Sequence, residues 1–181
     1  MSYLKHEMRQ LFEKRSSMAF IDKNSGFEDG LLEKIINLAF AGLSIYTGKL
    51  WDIIAVSSPV VLQKLYRATG NKMIAECAYT LAVSDRITQS DVIPGSRSII
   101  RHWNKKRETD LLCLSIHYAA KFYCVDSFAI YDFDKQAVAK VIGTRHAAGI
   151  AVLICLGFFR DLSGEYRYPA RNMFSETVTV I

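Results

Sequence analysis

The segment "DLLCLSIHYAAKFY", residues 110 to 123, constrains the fold of this chain most strongly. Its helical wheel carries Leu111, Leu112, Leu114, Ile116, Tyr118, Ala119, Ala120 and Phe122, so apolar side chains fall on almost every face. A helix of that kind belongs in the centre of a fold or in a large subunit interface. Thr109 or Asp110 is the expected N-cap. Around it, elements with helix and strand periods alternate.

Residues 4 to 15 place Leu4, Met8, Leu11 and Phe12 at helical spacing among charges. Leu31, Leu32, Ile35, Ile36, Leu38 and Ala39 mark a second helix, with Glu28 and Asp29 suited to its positive N-terminal end. "WDIIAV" is short and rich in β-branched residues, as a strand should be. Pro59 then opens a helix that stops near Gly70. "AYTLAVSD" predicts a second strand, "VDSFAIYDF" a third, and residues 148 to 157 a fourth. Asp134 caps a helix that ends at Gly143. Residues 86 to 107 are polar and contain Pro and Gly, which suggests a functional flap. The C-terminal arm, 160 to 181, ends in "ETVTVI", an alternating strand with no hairpin partner that can pair in another subunit's sheet. These elements predict one α+β domain over residues 1 to 181, a central sheet flanked by helices.

Composition narrows the class. Half of the 181 residues are hydrophobic and 23% are charged, a globular balance. The longest apolar run, "AAGIAVLICLGFF" at 147 to 159, is shorter than the roughly 18 residues that suggest a membrane span. It reads as a buried strand, and with no apolar signal segment at the start the expected location is cytoplasmic. Cys77, Cys113, Cys124 and Cys155 form no C-x-x-C pair and read as reduced core thiols. The net charge of +5 is spread along the chain; its densest run, "RHWNKKRE", is short, so no nucleic-acid partner is expected. His6, His102 and His146 fall on a charged helix face or in loops, and His117 reads as a hydrogen-bonded core histidine. Hydrolase, P-loop and zinc-protease motifs do not occur.

Four stretches in order, "KRSSMAFID", "SIYTGKLWDIIAV", the segment from Asp110 to Gly143, and "ICLGFF" with the arginine-bearing tail, resemble the nitroreductase family of flavin enzymes over nearly the whole chain. The resemblance implies a homodimer that exchanges terminal segments and holds FMN in clefts at the subunit interface, with NAD(P)H as co-substrate and a nitroaromatic, quinone or similar acceptor. It implies a phosphate site at Lys14, Arg15, Ser16 and Arg171, with Arg167 as the fallback. It further implies ring contacts from Thr47, Lys49 and Asn71 (or Lys72), and a backbone donor near Tyr131 and Asp132. Met18 and Pro169 stand where the family has basic residues. Thr47 and Lys49 stand in a turn resembling Ser-x-x-Asn-x-Gln-Pro-Trp, and Tyr131 and Asp132 at a Gly-Phe pair. Those replacements motivate the alternative reading, a dimeric scaffold with a lost or altered flavin site that serves as a binding or interaction protein.

Overall fold

In a computed structural model of the chain, residues 26–43, 51–85, 97–143 and 149–158 are described, without the side chains of residues 85 and 97–106. The organising element is the apolar strand β4, Ile150–Gly157. Val152, Ile154 and Leu156 alternate with Leu153 and Cys155, and all are fully buried. A strand can be apolar on both faces only where both are covered. β4 is therefore central. It pairs antiparallel with β2 (Tyr79–Asp85) on one side and with β3 (Asp126–Ile130) on the other. β1 (Trp51–Val56) pairs antiparallel with β2, completing the order β1-β2-β4-β3.

Helices cover both faces. On one, α1 (Leu31–Ala41) and α4 (Arg97–Phe122) pack Ile35, Leu112 and Ile116 against Leu81, Val83, Val152 and Ile154. On the other, α2 (Pro59–Thr69), α3 (Lys72–Glu76) and α5 (Lys135–Ile142) pack Leu65, Ile74 and Val138 against Ala82, Leu153 and Cys155. Each fully buried Leu or Ile contributes about 1.5–3 kcal/mol relative to exposure. The sheet register fixes which residues receive that contribution, because a one-residue slip would exchange the two faces. A register shift between Val83 and Ser84 accompanies the start of β4.

The expected α+β architecture is what the structure has, and the four predicted strands and the helices from Leu31, Pro59 and Lys135 are all present. Four expectations need correction. The central helix, expected over 110 to 123, begins at Arg97 and runs for 26 residues, so residues 97 to 107 belong to it. Neither Thr109 nor Asp110 is a cap, since both lie inside that helix. Thr109 is buried instead, and its Oγ1 accepts a hydrogen bond from Trp51 Nε1 at 3.0 Å, tying α4 to the first residue of β1. β3 ends at Ile130, before the Tyr-Asp pair expected within it. Of the four thiols Cys124 is exposed, in the turn after α4 at φ 58°, while the other three are buried as expected. The helix at 4–15, residues 86–96 and the arm at 160–181 lie outside the described residues.

Candidate functional site

Asp110, Cys113, Leu114 and His117 recur at the three- and four-residue spacing that puts side chains on one face of a helix. That face of α4 meets strand β3, which pairs only with β4 in the sheet of the described residues. On β3, Ser127 lies opposite Leu156 and Ala129 opposite Ile154, residues whose side chains join the core on the α4 side. Period-two alternation turns Ser127 and Ala129 the same way. Between helix and strand lies a groove of about 430 Å³, lined by Asp110, Cys113, Leu114 and His117 of α4 with Phe128, Ala129 and Tyr131. That volume suits a small organic ligand.

Polar groups form a connected string in its wall. Tyr131 Oη lies 3.3 Å from Cys113 Sγ, which lies 3.5 Å from His117 Nε2; on the far side of the imidazole, Nδ1 is 2.6 Å from Ser127 Oγ. His117 is thus the hydrogen-bonded, buried histidine expected. The Tyr131 ring is largely exposed while its hydroxyl reaches back into the groove. Its phenol is pushed well above the usual range, first by partial burial, then by its hydrogen bond to Cys113 and by the nearby charges of Cys113 and Asp110. Tyr131 therefore stays protonated and available as a donor.

A second thiol cluster sits on the other face of the sheet. Cys77 Sγ is 3.1 Å from Thr80 Oγ1, which is 3.8 Å from Cys155 Sγ. The neighbouring Cys77 thiol raises the Cys155 pKa most, burial adds to it, and Thr80 works against both. This cluster lies within the core on that face.

Of the site residues predicted from sequence, Asn71, Tyr131 and Asp132 are described. Asn71 is the N-cap of α3, where its Oδ1 accepts the Met73 N–H at 3.0 Å. This cap, not a frayed end, is its structural role, and the side-chain amide N–H₂ remains a donor. Lys72 follows it and is exposed. Tyr131 and Asp132 form the exposed link between β3 and α5, so the Asp132 carboxylate is hydrated. Asn71 belongs to the helical layer opposite α4, and no hydrogen bond among the described residues joins it to Tyr131 or Asp132. Lys14, Arg15, Ser16, Thr47, Lys49 and Arg171 lie outside the described residues, as do Met18, Arg167 and Pro169. The groove residues Asp110 and Cys113 were absent from the sequence-derived site, although the spacing of Asp110, Cys113 and His117 on one helix face is legible without a structure. Among the described residues, no group of three or more His, Cys, Asp or Glu side chains could hold a metal ion. No described helix is long and apolar enough to cross a membrane.

The antiparallel order β1-β2-β4-β3 with its long central helix is a nitroreductase-like fold, seen in solved structures that match nearly the whole chain. A nitroreductase-like protein from Streptococcus mutans superposes with a TM-score of 0.77 at 12% identity, covering 98% of this chain and 99% of its own. CLA-ER, an enone reductase of a gut-bacterial fatty acid saturation metabolism, gives 0.75 at 12% identity over 97% and 98%. An FMN-dependent nitroreductase from Clostridium difficile R20291 gives 0.72 at 14% identity over 96% and 98%. No family model matches the sequence, and no curated protein matches it. At such low identity the likeness is one of fold.

Proposed function

We propose that this chain is an FMN-dependent oxidoreductase of the nitroreductase type, working as a homodimer with NAD(P)H as reductant and a nitroaromatic, quinone or similar compound as acceptor. The observation that carries this reading is the end-to-end agreement of fold, over 96% of this chain and 98% of the other, with an FMN-dependent nitroreductase. FMN would supply the two-electron chemistry, so the chain need contribute only binding and electrostatics.

The donor set suits such a group. Lys14, Arg15 and Arg171 provide cations for a phosphate and Ser16 a hydroxyl. Thr47 and the free N–H₂ of Asn71 offer hydrogen bonds to polar ring edges, and Lys49, with Lys14, offers positive charge where negative charge develops. Main-chain N–H groups at Tyr131 and Asp132 lie on an exposed link, where a ligand can approach them. Hydration of the exposed Asp132 carboxylate weakens its repulsion of an anionic ring, since the Coulomb energy falls with local dielectric. Support for a homodimer comes from α4, where Leu111, Leu114 and Phe122 are about half exposed at spacings that place them along one stripe.

The test is a visible absorption spectrum of the purified protein followed by titration with FMN. Flavin bands, or saturable quenching of FMN fluorescence, are expected. A colourless protein that takes up no FMN at high micromolar concentration sinks the proposal and leaves the binding-protein alternative.

A further inference from the structure

The groove between α4 and β3 contains chemistry that the flavin reading does not use. Cys113 Sγ, although only 2% of the residue is exposed, forms part of the groove wall and lies 3.5 Å from His117 Nε2. The imidazole is held from behind by Ser127 Oγ at 2.6 Å. A thiol, a base within reach, and a third group orienting the base is the arrangement that activates a nucleophile. In the tautomer whose Nδ1–H donates to Ser127 Oγ, the Nε2 that faces the Cys113 thiol is an acceptor for its proton.

The remaining lining says what such a nucleophile could meet. Leu114, Phe128 and Ala129 give apolar surface for a hydrocarbon skeleton. Tyr131 places a phenolic hydroxyl 3.3 Å from the sulfur, so one small molecule can touch both. The exposed Asp110 and Tyr131 are the other titratable groups lining the groove.

We infer that this groove is a thiol-addition site in which Cys113 forms a covalent thioether with small α,β-unsaturated carbonyl compounds. The thiol proton passes to His117 Nε2 as the S–C bond forms at the β-carbon. The electron pair of the C=C bond moves toward the carbonyl oxygen, where the Tyr131 hydroxyl donates a hydrogen bond to the developing enolate. The imidazolium then returns the proton to the α-carbon. The net change is addition of S–H across C=C, with nothing oxidised or reduced and no co-reactant. Retention of the Tyr131 proton at neutral and moderately alkaline pH fits the donor role. The inference goes beyond the flavin function and stands without it.

The experiment incubates the purified full chain with cyclohex-2-enone at pH 7 without NAD(P)H, so that reduction cannot consume the probe, and follows adducts by intact mass and peptide mapping. Exposed Cys124 serves as the internal comparison. The adduct is expected first on Cys113, at a rate that saturates with enone concentration. Its rate should hold as pH falls from 8 toward the imidazole range near 6.5. His117→Asn, which keeps an amide near the Nδ1 position but lacks Nε2, should slow Cys113 by about 10²-fold and leave Cys124 unchanged. Labelling of Cys124 ahead of Cys113, or equal Cys113 rates with and without His117, overturns the inference. If His117→Asn does not fold, Tyr131→Phe decides, its ring being exposed. A several-fold loss of Cys113 rate upholds the site, and an unchanged rate overturns it.

Discussion

At the scale of single residues, the fold joins its two halves through a polar contact as well as apolar ones. Trp51 is buried at the start of β1, and an indole N–H removed from water needs an acceptor. Thr109 provides it from the middle of α4. Thr109→Val, close in shape, strands that donor and should destabilise the protein by about 1–3 kcal/mol in urea unfolding, whereas Trp51→Phe with Thr109→Val should be less costly than the sum of the two changes. The buried thiol pair gives a pH prediction. The Cys155 pKa is raised above its ordinary 9.0 in the folded state, so the folded chain holds that proton more tightly than the unfolded chain. Its contribution is fully present below about pH 9 and is lost as pH rises above it toward the folded value, with a slope of up to about 1.4 kcal/mol per unit. Thermal melts from pH 8 to 10.5 should show that alkaline decline, and Cys155→Ala, whatever its cost at neutral pH, should flatten it. The residue level was also the least legible in sequence. Trp51 stood out as an anchor because it begins a strand, but its partner is 58 positions away and Thr109 read equally well as a helix cap. Cys113 gained meaning only when β3 and the link after it brought Ser127 and Tyr131 to either end of its contact with His117.

Among the elements, the best-read ones carry their own end signals. Asp134 and Gly143 bracket α5: the aspartate accepts the Gln136 and Ala137 N–H groups at 2.9 and 3.0 Å, and the glycine closes the helix at φ 74°. Both residues are exposed, so their local roles were visible without tertiary context. Asp134→Ala should cost about 1 kcal/mol, and Gly143→Ala should also destabilise by placing a Cβ in the left-handed region. Neither lies in the groove, so equilibrium unfolding is the readout, and a change below a few tenths of a kcal/mol for Asp134→Ala would show that the cap contributes little. The strands were equally legible, because β-branched runs bounded by turns have few competing interpretations. α4 was not. Its N-terminal part, "RSIIRHWNKKRE", is mostly polar, follows Pro94 and Gly95, and has only Ile99, Ile100 and Trp103 as a short apolar group, while its C-terminal part is apolar nearly all round. Periodicity cannot join two such halves into one helix. The same difficulty placed the end of β3 too late, since Tyr131 continues the alternation of the strand although the backbone has already left the sheet.

For the molecule as a whole, the exposed stripe on α4 is the feature a single copy leaves unexplained. Leu111, Leu114 and Phe122 are 52%, 46% and 58% exposed, on a helix whose opposite side is buried against the sheet. A helix apolar on nearly every face is stable in water only where the second side is also covered, and a second copy of the chain is the occupant that the proposed homodimer supplies. An isologous contact doubles every substitution, because each residue of the patch appears on both sides of the two-fold axis. Leu111→Glu with Phe122→Glu would therefore place four carboxylates in one interface, a desolvation and repulsion cost large enough to break it. Sedimentation velocity should show the parent chain as a dimer and the double variant as a folded monomer, with its circular dichroism retained because neither side chain belongs to the core. FMN uptake should fall in parallel if the flavin clefts lie between subunits. A double variant that stays dimeric would place the interface elsewhere, and a parent chain that sediments as a monomer would remove the homodimer from the proposed function.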